Sequence, residues 1–216
     1  MHRIGVIVGM QSEAQLANAL HPAAIEVSGA TDLGAKMAME RLLKTQIDAV
    51  VSFGFAGGLD PLIKPGSILL PSVICTEKKD YMPNPFLRLK LGAERSDVKI
   101  GALLHSDEAI KSSAEKKKLF QDTACLAVDM ESGIVAEYCQ KNNIPFAALR
   151  VVCDSALRDL PPVACIALSQ KGTLNFFSIV NSFLTNPIQC WDLMALGFDA
   201  SIAYWRLKRY VNKINK

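Results

Sequence analysis

The sequence predicts a single α/β domain with a mostly parallel sheet. Several short runs are continuously apolar and rich in β-branched residues, which is typical of strands buried on both faces. Segments with apolar residues at helical spacing separate these runs, and strands that alternate with helices usually form parallel sheets. The 216 residues are 50% hydrophobic and 21% charged, which suits one domain with a sizeable core.

Each predicted element follows from its own pattern. The buried strands are predicted at residues 4–8, 49–53, 67–70, 73–76, 100–104, 126–128 and 146–152. Helices are predicted at residues 33–43, 107–120, 131–142, 164–184 and 187–215. Thr31 and Asp32 are candidate caps of the first helix. We expect the glycine-rich run Gly54–Gly58 to end the second strong strand, and the loop at residues 78–85 to lie on the surface.

Composition excludes several function classes. A net charge of +3 is too small to indicate a nucleic-acid partner. No apolar run has the length of a transmembrane helix or the features of a signal peptide. Six cysteines stand singly rather than in C-x-x-C pairs, so neither a zinc site nor a redox dithiol is predicted, and a reduced cytoplasmic compartment is expected. They are Cys75, Cys125, Cys139, Cys153, Cys165 and Cys190.

Polar residues gather after the predicted strands. Open α/β sheets bind ligands at the carboxyl ends of their strands, so these positions are candidate site residues. The segments concerned are Gly9-Met10-Gln11-Ser12-Glu13, Ser28-Gly29, the run that ends at Gly58, Val128-Asp129-Met130-Glu131-Ser132, and Arg150 through Ser155.

Several motifs in order resemble one family. Ile4-Gly5-Val6-Ile7 with Met10-x-x-Glu13 is similar to the opening of the methylthioadenosine/S-adenosylhomocysteine nucleosidases. Similar later motifs are Ala56-Gly57-Gly58-Leu59 with Lys64-Pro65-Gly66-Ser67-Ile68, then Val128-Asp129-Met130-Glu131, Ile144-Pro145-Phe146 and Arg150 through Asp154. Because their order and spacing hold from about residue 3 to residue 156, the chain is identified as a member of the nucleoside phosphorylase/nucleosidase superfamily.

Within that superfamily the chain most resembles the hopanoid-associated nucleoside phosphorylases. The segments that carry this resemblance are Ser52–Pro61, Asp154–Pro162 and the long helical tail. The resemblance implies release of adenine from adenosylhopane, an adenosylated bacterial triterpenoid. It also implies a homo-oligomer, no metal and no organic cofactor, with phosphate as a candidate co-substrate.

The resemblance also implies roles for individual residues. Asp154 would donate a proton to the departing purine or stabilise it at N7, and burial would raise its pKa. Glu131 would hold the ribose hydroxyls near the developing cation, with Met130 under the sugar. Glu13 would activate water. Backbone N–H groups of Ser28, Gly29, Gly57 and Gly58 would cradle water or phosphate.

Structural roles compete with these assignments. Glu13 could be an ordinary first-turn glutamate, and Asp154 a turn cap. Phe55 stands where the nucleosidases usually carry a hydroxyl residue. Arg3 and Arg150 do not form an evident phosphate clamp, so the chemistry leans toward water without excluding phosphate. The three histidines have no metal-ligand spacing, so no metal site is predicted; they are His2, His21 and His105.

The tail at residues 187–216 mixes aromatic and basic residues on an amphipathic helix. This pattern suits either a membrane surface or a packed terminal helix with a solvated face. A small set of aromatic and thioether side chains could line a channel for a lipid tail or be ordinary core or subunit-interface residues: Phe53, Phe55, Tyr81, Met82 and Phe86. Two other functions stay open, cleavage of a small soluble nucleoside such as methylthioadenosine and non-catalytic binding of a nucleoside or lipid.

Overall fold

The structure is a computed structural model that describes residues 3–160 and 189–214. Its strands are β1 Ile4–Val8, β2 Ala24–Val27, β3 Ala49–Gly58, β4 Ile68–Leu69, β5 Val73–Cys75, β6 Asp80–Tyr81, β7 Val98–Lys99, β8 Ala102–His105, β9 Ala127–Asp129 and β10 Phe146–Asp154. Its helices are α1 Gln11–Ala17, α2 Asp32–Leu42, α3 Pro85–Lys90, α4 Ser113–Thr123, α5 Ser132–Lys141 and α6 Gln189–Ile214. A 3₁₀ turn, Asn18–Leu20, follows α1.

The strands form one mixed sheet around β3. This strand pairs in parallel with β1 and β10, and its last residues pair with β9 in the antiparallel sense. The pairs β4–β10 and β5–β6 are also antiparallel, whereas the other pairings are parallel. Apolar side chains from the strands and helices form two main buried clusters. The predicted α/β class with a mostly parallel sheet is therefore confirmed.

The glycine-rich run does not end the second strong strand, as the sequence suggested. Strand β3 continues through Gly58, because β10 pairs with it as far as Gly57. Gly54 has a φ of 151°, and a Cβ there would lie 2.3 Å from Oε1 of Glu13. The glycine is therefore needed so that a carboxylate can approach the strand, and not for a turn.

Other predicted boundaries differ from the observed ones. The helix predicted at residues 107–120 begins at Ser113, because the Ser112 hydroxyl caps it by accepting from the Glu115 N–H at 3.1 Å. The strand predicted at residues 100–104 begins only at Ala102, as β8, and β7 precedes the predicted range. The predicted surface loop contains the short strand β6, and the helix predicted at residues 164–184 lies outside the described residues. Thr31 caps α2 as predicted.

Helix α6 is an integral part of the fold. One face packs into the core with β10 and contributes Ala203, Leu207, Tyr210 and Val211, all buried. The Tyr210 hydroxyl donates to the carbonyl of Leu91 at 2.6 Å. The other face exposes an apolar stripe of Met194, Phe198, Ile202 and Trp205. No helix within the described residues has the length and apolar character that crossing a membrane requires.

Candidate functional site

A cavity of about 350 Å³ joins the segments that follow β1, β9 and β10 to the end of β3. Its lining includes five of the residues predicted for the site, which are Glu13, Gly57, Met130, Glu131 and Asp154. The three carboxylates are nearly buried, although they lie far apart in the sequence. Buried carboxylates are rare unless they are paired, so their partners indicate what the site does.

The carboxylate of Glu13 is held by two backbone N–H groups. Met10 donates to Oε2 and Phe55 donates to Oε1, both at 2.7 Å. Burial raises the pKa of Glu13, although the Arg150 guanidinium and these backbone donors act in the opposite direction. A carboxylate with a raised pKa is a stronger base, which suits a group that must take a proton from water.

Arg150 lies at the centre of the acidic cluster. Its Nη2 is 2.6 Å from Oδ2 of Asp129 and 3.0 Å from Oε2 of Glu131. It also donates to the hydroxyl of Ser52 at 2.6 Å and, through Nη1, to the carbonyl of Phe55 at 3.2 Å. The side chain is fully buried inside β10. Burial opposes its charge, but Asp129 and the two glutamates outweigh burial and raise the pKa of Arg150.

Glu131 shares this guanidinium with two other carboxylates. Burial raises the pKa of Glu131 to about 7; Arg150 lowers it, and the charges of Asp129 and Glu13 raise it. The Ser28 hydroxyl donates to Oε1 at 3.5 Å. A Cβ on Gly9 would lie 2.8 Å from Oε1 of Glu131 and 3.1 Å from Oε2 of Glu13. The two glutamates thus converge on one glycine.

Asp154 has a partner that the sequence did not reveal. Nζ of Lys116 lies 2.5 Å from Oδ2 of Asp154 and also donates to the carbonyls of Ser155 and Arg158, each at 3.0 Å. Lys116 is fully buried, whereas Lys117 and Lys118 beside it are exposed. In the sequence these residues form a run of three lysines, a pattern typical of a solvated helix face. Only the orientation of α4 distinguishes the first of them.

Other predicted contacts are arranged differently. The N–H groups of Ser28 and Gly29 donate to the carbonyls of Val8 and Gly9 at 2.8 and 3.0 Å, so these amides do not cradle a ligand. Gly58 lies beside the cavity lining, where a Cβ would come within 2.9 Å of the Asp154 carbonyl oxygen. A Cβ on Gly57 would be 3.3 Å from Oδ1 of Asp154. The two strand glycines make room for Asp154 and its backbone.

The five aromatic and thioether side chains do not form one channel. Of the five, only Phe55 lines the cavity. Phe53 and Tyr81 are core residues, as the alternative interpretation expected, while Met82 and Phe86 are exposed. Other segments contribute apolar residues to the cavity lining, which are Ile110, Leu160, Leu196 and Ala200.

Comparison with protein families gives one clear match. The family model described as the phosphorylase superfamily matches residues 21–172 of this chain. The matched stretch contains Glu131, Arg150 and Asp154, together with Lys116.

Two curated relatives are 5'-methylthioadenosine/S-adenosylhomocysteine nucleosidases. The one from Buchnera aphidicola subsp. Baizongia pistaciae is 28% identical over 138 residues, which cover 53% of this chain and 54% of the relative. The one from Staphylococcus epidermidis is 27% identical over 131 residues, or 50% of this chain and 58% of the relative. The chain therefore spans about half the length of the curated relatives it matches.

Solved structures share the fold over nearly the whole chain. A Helicobacter pylori nucleosidase with 5'-methylthioadenosine in its active site has a TM-score of 0.68 at 17% identity, covering 99% of both chains. The Neisseria meningitidis nucleosidase in complex with methylthio-immucillin-A has a TM-score of 0.69 at 17% identity, covering 99% of this chain and 100% of that one. Identities this low show the fold alone.

The shared guanidinium leads to a prediction about stability and pH. Because the pKa of Glu131 is about 7 in the folded protein against 4.5 ordinarily, the folded state binds more protons than the unfolded state between these values. The resulting stabilisation is complete below about pH 4.5 and is lost as the pH rises through about 7, a loss of about 3 kcal/mol at most. Glu131→Gln should remove this part of the pH dependence.

The measurement is the free energy of unfolding by urea at several pH values from about 5 to about 8. The control is Glu115→Gln, which changes an exposed glutamate on α4. An equal slope against pH in the wild type and Glu131→Gln would show that Glu131 does not titrate in this range.

Proposed function

Because the chain belongs to the phosphorylase superfamily, we propose that it cleaves the N-glycosidic bond of a purine nucleoside. The observation that carries this proposal is the pairing of the three carboxylates. Glu131 is paired with the buried Arg150, whose charge also acts on Glu13, Asp154 has a separate lysine, and all three carboxylates line one cavity. A reaction that develops positive charge on a sugar and removes a basic leaving group needs carboxylates in these positions.

The sugar is the part of the substrate assigned to Glu131. Its carboxylate accepts hydrogen bonds from the ribose hydroxyls, and Met130 lies against the ring. Arg150 occupies one of its oxygens, Oε2, and thereby fixes the orientation of the other. Negative charge held near C1′ stabilises the oxocarbenium-like transition state.

The purine is the part of the substrate assigned to Asp154. Nζ of Lys116 forms an ion pair with the carboxylate, so we assign to Asp154 the stabilisation of a proton at N7 through a hydrogen bond. Lys116 is a positioning residue, because its three contacts hold the carboxylate and the segment that follows β10 together. The chemistry requires neither a metal nor an organic cofactor.

Water is the nucleophile that the cavity favours. Glu13 takes a proton from the water that attacks C1′, and its raised pKa supports that role. Among the described residues that line the cavity, Lys116 is the one permanent cation, and Asp154 neutralises it. Phosphate would need a cation of its own, so we propose hydrolysis rather than phosphorolysis.

The substrate that we propose first is a purine nucleoside with a small apolar 5′ substituent, such as methylthioadenosine. The apolar side chains of the cavity lining, among them Leu160, Leu196 and Ala200, are suited to such a group. The activity for which the curated relatives are named points to the same substrate class.

Adenosylhopane is the second candidate substrate. The apolar stripe of α6 lies on the helix that supplies Leu196 and Ala200 to the cavity. The stripe would place that part of the cavity at a bilayer, from which a hopane chain would enter.

We also propose that the protein is a homo-oligomer, because Leu33 and Met37 on α2 are exposed. Light scattering of the purified protein tests this proposal.

The first experiment measures adenine release from methylthioadenosine and from adenosylhopane in detergent, each with and without phosphate. We expect release without phosphate and free sugar as the product, with kcat lowered by about 10²–10⁴ in Asp154→Asn and in Glu13→Gln. The control is Asp60→Asn, which changes an aspartate outside the cavity lining.

Each other outcome decides an alternative. Release that needs phosphate and yields a sugar phosphate would establish phosphorolysis. If the wild type binds nucleoside without releasing adenine, and Asp154→Asn binds it equally well, the chain is a non-catalytic binding protein.

The positioning role of Lys116 gives a separate prediction. Lys116→Met should lower kcat for adenine release by about 10²-fold, because a displacement of a catalytic group by about 1 Å has that effect. The loss should be much smaller with a 4-nitrophenyl riboside, whose leaving group departs without a proton. Lys117→Met, the exposed neighbour, is the matched control. Equal losses with both substrates would mean that Lys116 supports the fold and not the leaving group.

If the tail binds a membrane surface, substitutions in the apolar stripe of α6 should reduce binding to vesicles. Because the opposite face of α6 is in the core, deleting the helix would unfold the protein, so point variants are required. Phe198→Ser with Trp205→Ser should weaken binding to anionic vesicles in a sedimentation assay, while Leu62→Ser, at a leucine that is even more exposed, should not. Unchanged vesicle binding in the double variant would remove the support for a lipid substrate.

A further inference from the structure

A second cavity lies beside the first and is acidic. Its volume is about 510 Å³, and six carboxylates and two lysines are among its lining residues. Glu108 and Ile110 line both cavities, so the segment that follows β8 is a shared wall. A concave surface with this excess of negative charge attracts cations.

Three side chains from separate parts of the sequence meet in this second cavity. His105 is the last residue of β8, Asp107 follows it in the loop, and Asp32 begins α2. One ligand atom from each lies within 4.8 Å of the others. This group could not be predicted from the sequence, because Asp32 lies far from His105 along the chain.

The imidazole of His105 is held in place but has no hydrogen-bond partner. Its side chain is 7% exposed, and within residues 3–160 and 189–214 neither ring nitrogen makes a hydrogen bond. The same holds for Oδ1 of Asp32, which is also buried. The ring packs over Gly133, where a Cβ would lie 2.4 Å from Cγ of His105. Buried polar atoms are seldom left unpaired, so these atoms indicate a ligand between them.

The two distances from His105 to the aspartates match the coordination of a metal ion. Nε2 of His105 is 3.4 Å from Oδ1 of Asp32 and 3.6 Å from Oδ1 of Asp107. Ligands about 2.1 Å from a tetrahedral zinc ion lie about 3.4 Å from one another. One imidazole and two carboxylates are suitable ligands for Zn²⁺, and water can complete the coordination.

We propose that Asp32, His105 and Asp107 form a binding site for a divalent transition-metal ion of the Zn²⁺ class. The site is separate from the three carboxylates of the catalytic cavity, and the proposal does not rest on the proposed function. A bound ion fixes the segment from His105 to Ile110 against α2, and thus the wall that the two cavities share.

The test is a Co²⁺ titration of the full, reduced protein in chelator-treated buffer, followed by displacement with Zn²⁺. We expect one equivalent of Co²⁺ to give ligand-field absorption without a thiolate charge-transfer band. Saturating Zn²⁺ should raise the melting temperature. His105→Gln and Asp107→Asn should each weaken binding by at least about tenfold, since even loss of an outer-shell partner of a metal ligand has an effect of this size.

Glu108→Gln is the matched control for charge. It removes one negative charge from the same wall but no proposed ligand, so it should bind Co²⁺ as the wild type does. Three results would overturn the proposal: no absorption change at millimolar Co²⁺, a thiolate band, or unchanged affinity in His105→Gln. In the first case His105 contacts the two aspartates directly, a role that needs no metal. Melting curves of the variants without metal show whether they are folded.

Discussion

The interaction on which the site depends is the burial of Arg150 among carboxylates. A guanidinium inside a central strand is tolerated only if its charge is compensated and its donors are used. Asp129 and Glu131 provide the compensation, and the hydroxyl of Ser52 and the carbonyl of Phe55 accept hydrogen bonds. The ends of β3, β9 and β10 are thus tied to one side chain. Truncating Arg150 would leave buried negative charges without a partner.

Arg150 is one cation beside three buried carboxylates, those of Glu13, Asp129 and Glu131, so this cluster has less positive than negative charge. The shortage appears as the raised pKa values of Glu13 and Glu131, since burial of each is only partly offset by Arg150. In the proposed reaction, a cationic sugar that develops beside these groups would relieve the shortage, so the cluster would complement the transition state more than a neutral ground state. Asp154 does not share this shortage, because Lys116 compensates it separately. The two ends of the proposed bond therefore meet different electrostatic environments.

Local pattern was sufficient for the fold class but not for the details of the site. Continuous β-branched runs gave the central strands, and motif order gave the three carboxylates as candidates. The role of Gly54 was misjudged because its cause is the side chain of Glu13, which is remote in sequence. Lys116 could not be distinguished from Lys117 without the orientation of α4. The amides of Ser28 and Gly29 looked available because their acceptors, Val8 and Gly9, belong to a neighbouring strand and its extension. Each error concerns tertiary contact, which periodicity does not encode.

Phe55 shows how the backbone can assume part of a side chain's role. Phe55 stands where the sequence resemblance would place a hydroxyl residue, and its N–H donates to Glu13 while its carbonyl accepts from Arg150. Both contacts are independent of side-chain identity, so the carboxylate and the guanidinium keep their geometry. Phe55 lines the cavity, to which α6 adds Leu196 and Ala200. Under the proposed function, the side chain at position 55 can therefore change which 5′ group fits the cavity without altering the charges of Glu13 and Arg150.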